Sequence, residues 1–80
     1  MVIKMREINP NTRVLILDHK DNTNPLAIDK TGTVKLIQDS GGNELYYVHM
    51  DESIMGFPYK ALNISLGHGY IAIKEELAFI

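Results

Sequence analysis

Eighty residues, 45% of them hydrophobic and 22% charged, fit one small globular domain over residues 1–80 rather than a disordered tail or a membrane protein. The formal charge of -2 comes with eight Lys and Arg scattered singly, not gathered into the basic stripe on which phosphate binding draws. The absence of cysteine excludes a disulfide framework, a thiolate metal site and a thiol nucleophile, and points to a reducing, cytoplasmic setting.

The opening MVIKMREI holds a lysine and an arginine but no apolar run long enough for a signal peptide. Nowhere do about 18 apolar residues follow one another, so no membrane association is expected. A chain of this length buries only about 60% of the surface its unfolded form exposes, so its core is thin.

In chain order, NPNT (residues 9–12) reads as a turn, with Pro10 at its fixed φ. RVLILD (13–18) is a β-branched, apolar run of strand length. HKDNTNPLAIDK (19–30) is polar and turn-rich, the longest loop of the chain. TGTVKLIQ (31–38) alternates as a strand, placing Val34 and Leu36 on one face with Thr33, Lys35 and Ile37 on the other. DSGGN supplies residues that tolerate positive φ, and ELYYVHM (44–50) returns with Tyr46, Val48 and Met50 opposed to Leu45, Tyr47 and His49. The pair predicts an antiparallel hairpin.

SIMGFP (53–58) predicts a short strand interrupted by Gly56 and stopped by Pro58, and YKALN one helical turn between Tyr59 and Asn63. GHG (67–69) then reads as a turn leading into a closing strand over 69–74. Leu77, Ala78, Phe79 and Ile80 are apolar at a terminus and must dock, either on the domain itself or on another chain.

A strand, a long loop, GTV-x-x-I, a glycine turn, YYVHMD at Tyr46 to Asp51 and then MGFP at Met55 to Pro58 resemble the middle of small SH3-like barrels. The resemblance covers half to two thirds of the chain. It implies an all-β fold, an SH3-like barrel of about five antiparallel strands with a short helical turn near Tyr59 to Asn63. The sequence is most similar to SH3-like domains of bacteria and their phages, and more weakly to the KOW modules of ribosomal and transcription proteins. It departs from KOW modules in lacking their basic companions. It also lacks the tryptophan and the clustered acidic loop with which peptide-binding SH3 domains grip proline-rich ligands.

Candidate site residues are few. Tyr47 and His49 point to the face opposite Val48, with Lys35 on the neighbouring strand. That face is either exposed as a contact surface or covered by VIKM (2–5) or by LAFI (77–80). Phe57 and Tyr59 sit at the short turn where SH3-like barrels commonly present a ligand surface. His19 and Asp21 in DHKD raise a metal or acid/base reading, yet the ligand ladder of a calcium loop is missing, so no metal is expected there. His68, between two glycines, reads as a turn residue. No Gly-x-Ser-x-Gly elbow, phosphate loop or HExxH occurs, and a barrel this small leaves little room for a substrate pocket of about 300 Å³ or more, so neither enzyme activity nor a cofactor is expected.

Three functions compete. The first is a non-enzymatic protein-interaction module, such as a phage or mobile-element accessory protein that binds a host protein through the Tyr47/His49 face and the loop from His19 to Lys30. The second is a KOW-like RNA or DNA binder that uses Arg13, Lys30 and Lys35 on phosphate and Tyr47 for stacking. The third is a structural homo-oligomer whose apolar C-terminal strand pairs edge to edge.

Overall fold

The turn at Asn9 to Thr12 closes with a hydrogen bond from the Thr12 N–H to the Asn9 carbonyl, 3.0 Å, and delivers the chain into its first strand. The computed structural model describes residues 8–80. Six strands follow: β1 (Arg13–Ile16), β2 (Thr31–Ser40), β3 (Asn43–Met50), β4 (Phe57–Tyr59), β5 (Ile64–Ala72) and β6 (Leu77–Phe79). They form one sheet in the order β4-β5-β3-β2-β1-β6, with every neighbouring pair antiparallel. The only helical pieces among the described residues are three 3₁₀ turns, at Pro25–Ala27, Lys60–Leu62 and Lys74–Glu76. The all-β expectation holds, with a sixth strand added, and the arrangement is compatible with an SH3-like fold.

One face of the sheet carries the core: Val14 and Ile16 of β1, Val34 of β2, Tyr46, Val48 and Met50 of β3, and Tyr70 and Ala72 of β5. Among the described residues no second layer of strands or helices lies over that face, so the sheet wraps around its own core. Ala27 of the long loop and Ile54 of the β3–β4 connection complete the cluster.

The β2–β3 hairpin turns on Gly41 and Gly42, both at positive φ (+60° and +87°), as a two-residue turn between right-twisted strands demands. The Gly42 N–H also donates to Asp39 Oδ1, 3.1 Å. Farther along β2 the expected alternation fails. The register against β3 slips between Val34, opposite Val48, and Leu36, opposite Tyr47. Lys35 is the extra residue of a bulge, so Leu36 turns outward and Ile37 turns inward against the core, reversing the faces that strict alternation assigns to them.

The stretch expected as a strand over 53–58 instead bends, burying Ile54, and β4 begins only at Phe57. The predicted helical turn is the 3₁₀ turn at Lys60–Leu62, closed by Asn63 in the left-handed region (φ 55°). GHG is not a turn. Gly67, His68 and Gly69 lie inside β5, which starts at Ile64, five residues before the expected closing strand. Turn-forming composition loses here because β5 is held by β3 on one side and β4 on the other. The apolar C-terminus docks within the same chain: Val14 pairs with Phe79, Leu15 with Ala78 and Ile16 with Leu77. The alternative cover by residues 2–5 lies outside the described residues.

A buried carboxylate joins the long loop to the end of β5. Glu76 is 1% exposed; its Oε2 accepts hydrogen bonds from the Tyr70 hydroxyl and, at 2.6 Å, from Asn22 Nδ2. Its Oε1 accepts from the Ile73 N–H, 3.1 Å. Asn22 Nδ2 also donates to the Tyr70 oxygen, 2.8 Å, and Asn24 Nδ2 to the Ile54 carbonyl, 2.7 Å. The long loop is therefore tied down at two asparagines. Burial, and then the bond to Glu76, raise the Tyr70 pKa.

Candidate functional site

The outward face of the sheet is set by register. One row runs Arg13, Thr33, His49, Gly69, Phe57 across β1, β2, β3, β5 and β4. The next runs Leu36, Tyr47, Ile71 across β2, β3 and β5. Gly69 is the gap in the first row. With no side chain there, the Tyr59 ring reaches over β5 and meets Tyr47 edge to face, ring centres 5.1 Å apart and planes at 76°. Phe57 also stands against Tyr59, centres 6.5 Å apart and planes at 63°. Both distances lie in the range where the ring quadrupoles attract. The Tyr47 hydroxyl donates to Gln38 Oε1, 2.8 Å, which fixes that ring from the far end.

Tyr47, Tyr59 and Phe57, predicted from separate stretches, are thus one interlocked set. Tyr47 and Tyr59 are half-buried by it, whereas Phe57 is 64% exposed. Burial, followed by the proximity of Tyr47, raises the Tyr59 pKa. Leu36, opposite Tyr47, adds apolar surface that alternation had assigned to the core. Met55 and Leu66 are exposed beside Gly56 and Gly67, which bridge the β3–β4 connection to β5. Neither Met55 nor Leu66 stands out in sequence, because nothing local marks a surface residue that happens to be apolar.

His49 sits at the centre of the first row, its ring 5.4 Å from that of His68. Burial, then His68 and Lys35, lower its pKa, which favours the neutral imidazole. Lys35, at the bulge, is close enough to act on that ring. The other two cations of the nucleic-acid reading are engaged by carboxylates. Arg13 forms a two-pronged bond to Asp51, Nη1 to Oδ1 at 2.7 Å and Nη2 to Oδ2 at 2.5 Å, supported by Thr33 and Thr31. Lys30 Nζ lies 3.0 Å from Glu52 Oε2. The Arg13 fork and the Thr31 hydroxyl hold the Asp51 carboxyl far below the usual carboxylate range.

His19 and Asp21 belong to a different surface. The Asp21 N–H donates to His19 Nδ1, 3.1 Å, and the His19 N–H to Asn22 Oδ1, 2.6 Å. Asn22 in turn grips Tyr70 and Glu76 on the core side of the sheet. Among the described residues, no group of three or more His, Cys, Asp and Glu side chains is arranged to hold a metal ion.

A cleft of about 590 Å³ opens where the tip of the β2–β3 hairpin faces the chain after β5, lined by Gly42, Asn43, Glu44, Leu45, Ile73, Lys74 and Glu75. It is larger than the length of the chain leads one to expect. Its polar walls are Asn43, Glu44, Lys74 and Glu75, and the Glu44 carboxylate accepts a hydrogen bond from the Tyr46 hydroxyl. No helix among the described residues is long and apolar enough to cross a membrane. Comparison with known proteins finds no matching family model, no similar curated protein and no similar solved structure.

Proposed function

We propose that this chain is a small non-enzymatic protein-interaction module that docks a partner protein on the face built by Tyr47, Tyr59 and Phe57, with Leu36 beside them and His49 and Lys35 at the rim. The observation that carries this reading is the interlocked aromatic set, whose outermost ring, Phe57, is 64% exposed. Aromatic side chains already held by their neighbours offer large contact area with little torsional freedom left to lose, the property of anchor residues at protein interfaces. The ion pairs Arg13–Asp51 and Lys30–Glu52 weigh against the KOW-like alternative, since phosphate binding would have to break them or rely on the remaining lysines. The likeness to SH3-like domains of bacteria and phages makes a bacterial host protein the partner class to test, in a cytoplasmic setting.

The test is capture from a nuclease-treated bacterial lysate with the chain and with its Tyr47→Ala and Phe57→Ala variants. A discrete protein retained by the parent and lost from both variants supports the reading. Its retention should barely change between about 50 and 200 mM salt, a range over which phosphate-driven binding falls steeply. Capture that survives both substitutions overturns the assignment of this face. Loss of all bound material on nuclease treatment favours nucleic acid, and a solution mass twice that of the chain favours the homo-oligomer reading instead.

A further inference from the structure

His49 of β3 and His68 of β5 stand on neighbouring strands, ring centres 5.4 Å apart and planes inclined by 62°. The sheet brings them there: His49 is paired with Gly69, the residue that follows His68, and Gly67, at φ +92°, redirects the strand just before it. His68 Nδ1 lies 2.7 Å from the Met50 carbonyl oxygen. A carbonyl only accepts, so Nδ1 carries the hydrogen and Nε2 keeps its lone pair. A backbone carbonyl holding one ring nitrogen of a histidine, and leaving the other as a ligand, is the arrangement that orients metal-binding imidazoles.

The spacing agrees with a shared ion. A zinc ion about 2.0–2.1 Å from each ligating nitrogen lies about 3.2 Å from each ring centre, so two tetrahedrally disposed imidazoles hold their centres about 5.2 Å apart. We infer that His49 and His68 form a two-imidazole site for a divalent transition metal of the zinc class, with water completing its coordination. Two nitrogen donors suit such an ion better than magnesium or calcium, which take oxygen. With two protein ligands the ion is exchangeable, unlike one held by the closed three- or four-ligand sets of tighter zinc sites. Lys35 acts against it as a like charge. Asp51, a carboxylate that acts on His49, is already occupied by Arg13 and Thr31. A bound ion would cross-link β3 to β5 one residue from Gly69, the partner of Phe57, and so stiffen the outward face. The inference is independent of the docking proposal, because its test uses the isolated chain and the metal alone.

The experiment titrates the untagged, ¹⁵N-labelled chain with zinc chloride near neutral pH and follows the ring nitrogens of all three histidines. The expected result is that His49 and His68 shift together and saturate at one ion per chain, while His19 stays still. His49→Ala should weaken binding about tenfold or more, and so should His68→Gln, which keeps an N–H donor near the Met50 carbonyl but has no imidazole. Lys35→Ala should tighten it. An amide spectrum with parent-like dispersion shows that each variant is folded. The proposal is overturned if the His19 ring responds instead, if only one ring of the pair moves, or if both His49→Ala and His68→Gln bind zinc as the parent does.

Discussion

The Tyr59 ring lies across Gly69: a Cβ built at Gly69 would stand 3.0 Å from Tyr59 Cδ2 and would overlap the Phe57 carbonyl oxygen. The side chain that Gly69 lacks is the space in which the aromatic set assembles. Gly69→Ala should therefore force β4 away from β5 and separate Tyr59 from Tyr47. We expect a loss of about 1–3 kcal/mol, the usual cost of overpacking, read from the urea midpoint. Ring-to-ring contacts between Tyr47 and Tyr59 in NMR spectra should weaken with it. Parent-like stability and contacts in this variant would place Tyr59 elsewhere.

The bulge at Lys35 makes opposite demands on two adjacent apolar residues. Leu36 is 40% exposed, whereas Ile37 packs against the core opposite Tyr46. Leu36→Ser should stay within about 0.5 kcal/mol of the parent, as surface substitutions usually do. Ile37→Ser should cost about 1–3 kcal/mol, since it removes packed apolar volume and places a hydroxyl at the core edge. Denaturation of the two variants side by side checks the register, and the reverse order of cost would restore strict alternation.

The Arg13–Asp51 fork should give stability a recognisable dependence on acid. The folded carboxyl of Asp51 titrates below its unfolded range, so the pair stabilises the fold above pH ~4 and this contribution disappears as pH falls through the lower folded value. Both side chains are more than a third exposed, so solvent screening limits the effect to at most about 1 kcal/mol. Asp51→Ala should trail the parent by that amount at pH 7 and draw level with it in strong acid. Urea midpoints from pH 7 down to pH 2 measure the gap, and a gap that stays constant would mean that the fork contributes nothing.

Asn22, Tyr70 and Glu76 should behave as one unit. Asn22→Ala leaves the buried Glu76 carboxylate and the Tyr70 oxygen each short of a donor, and Tyr70→Phe removes another, so each should cost about 1–3 kcal/mol. Because the groups share partners, the double variant should lose less or more than the sum by at least about 0.5 kcal/mol. Asn22→Ala should also speed amide exchange along residues 19–30, since it removes one of the side-chain ties of that loop to the core and leaves those of Thr23 to Tyr70 and Asn24 to the Ile54 carbonyl. Strict additivity would mean that the three groups are not coupled.

Period-two patterning alone determined the β3 face, because Tyr46, Val48 and Met50 alternate without interruption and bury accordingly. Local turn chemistry likewise determined the Gly41–Gly42 hairpin and the 3₁₀ turn before Asn63, since Gly and Asn tolerate positive φ better than other residues do. Tyr47 and His49 could be named from alternation as candidates, and Phe57 and Tyr59 from the resemblance to SH3-like barrels. Only the tertiary structure decided that Tyr59 crosses Gly69 to meet Tyr47, that Lys35 bulges and exchanges the faces of Leu36 and Ile37, and that GHG is strand rather than turn. It also decided that Glu76, one carboxylate in the run KEEL, is buried with partners six and 54 residues away. Each of these depends on what a distant segment places opposite a residue. Alternation and turn propensity act over a few bonds, whereas pairing partners and buried hydrogen bonds are chosen when the sheet closes around its core.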